Sequence, residues 1–176
     1  AASDVYKRQR LVDLCTGTGV LALYLRHYLP EAQVCAVELA DTALAYTEAN
    51  THGSGVEVIQ ADATAVDTLA QWNGTVDLIV TNPPYVPESP DLDPEVYHDP
   101  HDAVFAGADG MRVITRLIPT IARLLRPGGK VAIEHDDSTS DAVQAALVHY
   151  GGFEQIVPLQ DLTGTPRFVT AVRGVD

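Results

Sequence analysis

The chain has 176 residues, 46% of them hydrophobic and 20% charged, which suffices to bury one core without disulfides or metals and leaves no room for a second of ordinary size. Its 24 acidic residues against 11 basic ones give a formal charge of −13, which argues against a broad nucleic-acid-binding face. No apolar run nears the ~20 residues of a membrane span, residues 1–9 lack the apolar segment of a secretory signal, and Cys15 and Cys35 lie in apolar runs that suit buried reduced thiols, so a soluble cytoplasmic protein is expected.

"RLVDL" (10–14) reads as a buried strand, a glycine-bearing turn follows, and "VLALYLRHYL" (20–29) sets apolar residues at helical spacing until Pro30. "QVCAVEL" (33–39) is the second strand, and "DTALAYTEANTHG" (41–53) suits a short helix with Asp41 as N-cap and Gly53 as stop. "VEVIQ" (56–60) is strand three, Thr64 to Trp72 a weaker helical segment, and "TVDLIVTN" (75–82) strand four. From Tyr85 to Gly110 periodicity is lost in a stretch rich in Pro and Asp, which reads as a substrate-facing lid. "MRVITRLIPTIARLLRPGGK" (111–130) returns to helix with "RPGG" as its stop, "KVAIEH" (130–135) is strand five, and a helix spans Ser138 to Tyr150. "FEQIVPLQ" and "RFVTAVR" close the chain as an antiparallel pair. The order predicts a three-layer Rossmann-like α/β domain, with a mostly parallel seven-stranded sheet and one antiparallel strand.

Such sheets bind ligands beyond the carboxyl ends of their strands. "DLCTGTG" (13–19) ends strand one with Gly17 and Gly19, whose backbone can bend tightly against a ligand, although a plain strand-to-helix turn would look the same. Glu38 ends strand two, where one carboxylate can accept both ribose hydroxyls, and Asp62 follows strand three, where it could accept an adenine amino group. Each alone could be an ordinary loop acid; together they point to an adenosine-containing cofactor.

"VTNPPYVP" (80–87) ends strand four. An amide or aromatic amino nitrogen is a poor nucleophile because its lone pair is delocalised. The Asn82 side-chain carbonyl and the Pro83 backbone carbonyl can each accept one N–H of a substrate –NH2, turning its lone pair toward an electrophile. Pro83 and Pro84 stiffen the loop, and Tyr85 can pack its ring on a planar amide or base; a Pro-Pro turn that merely ends the strand is the competing reading.

"DLCTGTG", "AVELADTAL", "TNPPYVP", "DPHDAVFAGADGM" and "RPGGKVAIEH" together resemble the release-factor glutamine methyltransferases, the PrmC/HemK group, over roughly residues 11–173. The resemblance implies transfer of a methyl group from S-adenosyl-L-methionine to the side-chain amide of the glutamine in the Gly-Gly-Gln motif of a peptide chain release factor, leaving S-adenosyl-L-homocysteine. It implies that Asn82, Pro83, Pro84 and Tyr85 hold that amide. It further implies a cofactor site of Asp13, Cys15, Thr16, Gly17, Thr18, Gly19, Glu38, Leu39, Asp62, Ala63 and Asn82, and neither metal nor nucleic acid nor membrane as partner. Asn-Pro-Pro-Tyr is shared with methyltransferases of DNA and RNA bases, so an amino-methyltransferase of that kind, or a cofactor-binding fragment without turnover, stands as the alternative.

Two departures accompany the resemblance. Cys15 stands where the family often has glycine, at a cost of roughly 1 kcal/mol if the backbone needs a positive φ. The family's N-terminal helical domain and pre-strand helix have no counterpart in the sequence, and residues 1–9 read as a non-native leader before a domain at 10–176, so a truncated catalytic domain is expected. His98 and His101 with Asp99 and Asp102 are read as turn residues rather than metal ligands, Glu134 to Asp137 as structural or lid-contacting, and Asp161 and Arg167 as a pair across the last turn.

Overall fold

The computed structural model describes residues 9–85 and 110–175. Seven strands, β1 (Arg10–Leu14), β2 (Gln33–Glu38), β3 (Val56–Gln60), β4 (Val76–Thr81), β5 (Leu125–Glu134), β6 (Phe153–Gln160) and β7 (Pro166–Arg173), form one sheet in the order β3-β2-β1-β4-β5-β7-β6. The pairings among β1 to β5 are parallel, and β7 runs antiparallel to both β5 and β6, as the sequence predicts.

Among the described residues four helices, α1 (Val20–Tyr28), α2 (Asp41–Thr51), α3 (Arg112–Leu124) and α4 (Ser140–Tyr150), connect the strands. The chain steps one way from β1 to β3 and the other way from β4 to β5, so right-handed crossovers send α1 and α2 to one face and α3 to the other. Strand residues sort between the faces with period 2. Leu11, Val34 and Ala36 meet Ala22 and Leu25 of α1, whereas Val12, Cys35 and Val37 join the larger core with Ile114, Leu117, Ile118 and Ile121 of α3 and Val143 and Leu147 of α4. Burying the apolar stripe of α3 against this sheet is what makes that segment a helix despite Pro119, which removes one intrahelical donor.

Three local expectations are corrected. The segment from Thr64 to Trp72 is a run of turns with a single 3-10 turn at Ala70–Trp72, because Leu69 and Trp72 are buried while Val66 is exposed, which leaves no continuous helical stripe. Asp41 lies inside α2, whose cap is Ala40; its carboxylate instead accepts Gln60 Nε2 at 2.5 Å. Strand β5 begins at Leu125 rather than 130: Val76 pairs with Leu125 and Leu78 with Lys130, so "RPGG" is looped out within the strand. Gly129 is required there, since a Cβ would lie 2.8 Å from the Val76 carbonyl oxygen.

Strand order reverses between β1 and β4, which opens a crevice beyond their carboxyl ends. Leu14 is level with Val37 and with Thr81, and Thr81 with Ile133. Cys15, Glu38, Asn82 and Glu134 therefore leave the sheet along one edge.

Candidate functional site

The turn after β1 is built on positive φ values at Cys15 (58°), Gly17 (60°) and Gly19 (83°). Asp13 is fully buried beneath it; its Oδ2 accepts the Thr16 hydroxyl at 2.5 Å and the Ala22 N–H at 3.0 Å. Gly19, the residue before α1, has no side chain to cap the helix, so Asp13 supplies the acceptor from the strand. Burial pushes the Asp13 carboxyl up to about 7 against these two hydrogen bonds, and its Oδ1 has no partner among the described residues. Burial, then the Glu38 charge, pushes the Cys15 thiol up to about 12.

Helix α2 clasps this turn. Thr47 Oγ1 donates to the Gly17 carbonyl at 2.5 Å and Asn50 Nδ2 to the Thr18 carbonyl at 2.9 Å. Thr47 and Thr51 also crowd Gly19, where a Cβ would meet their methyl groups at 3.2 and 3.0 Å. These three α2 residues escaped the sequence reading. The available signal was threonine at i and i+4 where a core-facing helix normally sets apolar residues.

Glu38 is buried at the end of β2, with Oε2 accepting the Gly17 N–H at 2.8 Å and Oε1 accepting the Leu39 and Ala40 N–H groups at 2.9 Å each. Oε1 is thereby filled, whereas Oε2 accepts a single N–H and keeps a second lone pair that can take a hydroxyl of a ligand. Leu39 beside it is exposed and Ala63 is buried. Asp62 Oδ1 accepts the Thr64 N–H and hydroxyl, and Oδ2 lies 3.8 Å from Arg116 on α3. Burial opposes its ionisation, but the Thr64 bonds and then Arg116 outweigh it and hold the carboxyl below its usual range. Asp62 is thus a turn-forming residue whose outer oxygen faces a cation.

At the end of β4, the Thr81 hydroxyl donates to the Leu14 carbonyl at 2.7 Å, locking this strand end to the start of the glycine turn. Asn82 follows with an exposed side chain, Pro83 is buried, and Pro84 and Tyr85 are half-buried. Tyr85 Oη donates to Glu134 Oε1 at 3.0 Å, and burial, then the Glu134 charge, raises its phenol to about 12. The structure therefore brings the turn, Glu38 and Asn82 to one crevice with Asp62 at its rim.

Asp161 and Arg167 pair at 3.7 Å across the last turn, as expected. A cavity of about 520 Å3 lined by Asp137, Asp141, Gln144 and Pro166 opens beside β6 and shares no residue with the crevice. Among the described residues no cluster of three or more His, Cys, Asp or Glu side chains could hold a metal ion, and no helix is long and apolar enough to cross a membrane. The expected lid, with His98, Asp99, His101 and Asp102, lies outside the described residues at 86–109, as does most of the leader.

Comparison with known proteins supplies a family and a fold class for the chain. The family described as "Methyltransferase small domain" matches residues 2–99. A release factor glutamine methyltransferase of Corynebacterium glutamicum is 54% identical over 172 residues, covering 97% of this chain and 61% of that protein. The protein of the same name from Mycolicibacterium smegmatis is also 54% identical, over 93% of this chain and 58% of its own length. The chain thus spans about three-fifths of the curated relatives it matches. Among solved structures, a methyltransferase from Pyrococcus furiosus superposes with a TM-score of 0.70 at 18% identity, over 99% of this chain and 82% of that one. A predicted O-methyltransferase from Agrobacterium tumefaciens gives 0.67 at 19% identity, over 96% and 75%. At these identities the two structures establish the class I methyltransferase fold alone. The chain belongs to the methyltransferase small domain family, and the relatives it resembles along nearly its whole length are release factor glutamine methyltransferases.

Proposed function

We propose that this protein transfers a methyl group from S-adenosyl-L-methionine to the side-chain amide nitrogen of the glutamine in the Gly-Gly-Gln motif of a peptide chain release factor. The observation that carries the proposal is the position of Asn82, exposed at the end of β4 while its neighbour Thr81 is bonded to Leu14 at the start of the glycine turn. An amide acceptor is thereby held next to the glycine turn. The relatives' shared name supplies the substrate class.

The residues fit the cofactor. A Cβ added at Gly17 would meet nothing within 4 Å, so the turn is open on its ligand side, and Asp13 Oδ1 is a buried acceptor still available beneath it. Glu38 Oε2 keeps a lone pair for a ribose hydroxyl, Leu39 and Ala63 offer apolar edges for an adenine ring, and Asp62 is an ionised acceptor near its rim. S-Adenosyl-L-methionine would supply a methyl group on a positively charged sulfur, leaving S-adenosyl-L-homocysteine.

This chain's task is to orient the acceptor. The Asn82 side-chain carbonyl and Pro83 backbone carbonyl take the two N–H groups of the substrate amide, and Tyr85 offers its ring to the amide plane. Held so, the nitrogen would direct its lone pair toward S-adenosyl-L-methionine held by the glycine turn and Glu38, which would supply the methyl group and keep the carbon–sulfur electron pair on its sulfur. Positive charge grows on nitrogen as it does so, and the two carbonyl dipoles favour that charge more than the neutral ground state. The nitrogen sheds its extra proton to water afterwards, so no strong base is needed beforehand. Such a reaction belongs in the cytoplasm, which suits the free cysteines Cys15 and Cys35.

Replacing Asn82 with alanine tests the assignment. Transfer to a release factor should fall by about 100-fold or more while affinity for S-adenosyl-L-homocysteine changes little. Equal loss of both would make Asn82 a cofactor residue only.

A further inference from the structure

Two prolines fix the backbone before Tyr85, but they leave its ring free to rotate about its own side-chain bonds. A ring that must lie against a planar amide needs a second point of attachment. The described structure provides one in Glu134, whose Oε1 accepts the Tyr85 hydroxyl at 3.0 Å. The parallel register of β4 with β5, Thr81 beside Ile133, brings Glu134 level with Asn82 on the neighbouring strand.

Glu134 is itself firmly mounted. Its backbone pairs with Phe168 of β7, the following His135 N–H donates to the Arg167 carbonyl at 3.0 Å, and the His135 side chain is fully buried. The acceptor for Tyr85 is therefore carried on a paired strand rather than on a loop, which is the arrangement that holds a functional group to a narrow range of orientations. Tyr85 packs its other side against the main core. Burial and the neighbouring carboxylate keep its phenol protonated, and hence a donor, throughout the neutral range.

We propose that Glu134 is a positioning residue for methyl transfer: by holding the Tyr85 hydroxyl, it fixes the ring against which the Asn82–Tyr85 loop sets the acceptor amide. This rests on the glutamine-methylating function proposed above. Glu134 touches neither cofactor nor reacting atoms; it acts through Tyr85.

The test combines kinetics with a readout that does not need turnover. Glu134→Ala should lower kcat on a release factor about 10-fold, with affinity for S-adenosyl-L-homocysteine unchanged. Glu134→Gln keeps a carbonyl acceptor at the same reach and should restore most of the rate. Tyr85→Phe should match Glu134→Ala, and the double variant should be no slower than the slower single one, because both remove the same bond. Separately, with ring-labelled tyrosine, the Cζ resonance that disappears in Tyr85→Phe should shift in Glu134→Ala and stay near its original position in Glu134→Gln. Full activity in Glu134→Ala, additive losses in the double variant, or an unmoved Tyr85 resonance would each overturn the proposal. If the unaltered chain methylates no glutamine, the function proposed above fails and Glu134 loses its role in that reaction, while the resonance shift still decides whether the Tyr85–Glu134 bond exists.

Discussion

The Glu38 carboxylate accepts the Gly17 N–H at 2.8 Å, so the acid that ends β2 also holds the turn that ends β1. The ribose and methionine ends of one ligand would thus share a single organising group. Glu38→Ala leaves the Gly17, Leu39 and Ala40 N–H groups without their acceptor. Each costs about 1–3 kcal/mol if it stays dry, and water entering the crevice reduces this. Glu38→Ala should therefore weaken S-adenosyl-L-homocysteine binding at least about 10-fold and also lower stability, as read by calorimetry and urea denaturation. Loss of affinity with unchanged stability would mean that Glu38 serves the ligand alone.

The two glycines of the turn should behave differently. Both have positive φ, but a Cβ at Gly19 runs into Thr51 and Thr47, whereas one at Gly17 meets nothing in the protein. Gly17→Ala should cost only about 1 kcal/mol of stability from backbone strain while losing most cofactor affinity, because the new methyl occupies the ligand's side of the turn. Gly19→Ala should cost more stability than Gly17→Ala in the same urea titration. The reverse order would contradict the close packing of Gly19 against Thr47 and Thr51.

Cys15 adopts φ 58°, a conformation that L residues other than Asn and Asp seldom take. Cys15→Gly should raise stability by up to about 1 kcal/mol, the relief of strain exceeding glycine's greater freedom in the unfolded chain, and Cys15→Ala should bring no such gain. With the thiol pushed up to about 12, native Cys15 should also resist alkylation at neutral pH.

Asp13 makes stability depend on pH. Its folded carboxyl lies at about 7 against an ordinary 3.8, so between those values the folded state binds more protons than the unfolded one. The contribution is fully present below about pH 4, is lost as pH rises, and is gone above about pH 7, a span of roughly 4 kcal/mol. Asp13→Asn should flatten that part of the stability profile in urea titrations at several pH values. An unchanged slope would show that Asp13 is ionised throughout.

The succession of strands and the residues at their ends are legible in the sequence because they rest on strong local signals: apolar runs for β1 to β4, glycine at 17 and 19, and the Asn-Pro-Pro-Tyr stretch. What escaped depends on tertiary context. The clasp by Thr47, Asn50 and Thr51 is a polar face packed on another turn's carbonyls, and no apolar period announces it. The loop-out at "RPGG" keeps helix-stopping chemistry but inserts it into strand pairing, a choice made by the register of β4 on β5. Glu134 was read as structural or lid-contacting because its partner, Tyr85, is 49 residues away in sequence. Thr64 to Trp72 reads as a weaker helical segment, but its buried Leu69 and Trp72 are served equally well by turns.

The most direct measurement is to incubate the chain with S-adenosyl-L-methionine and a release factor and to map the product by mass spectrometry, with a Gln→Ala substitution in the Gly-Gly-Gln motif as control. One added methyl group on that glutamine, absent from the control, is the predicted result. A methyl group on any other residue, or none at all while S-adenosyl-L-homocysteine binds normally, would contradict glutamine methylation as the function of this chain.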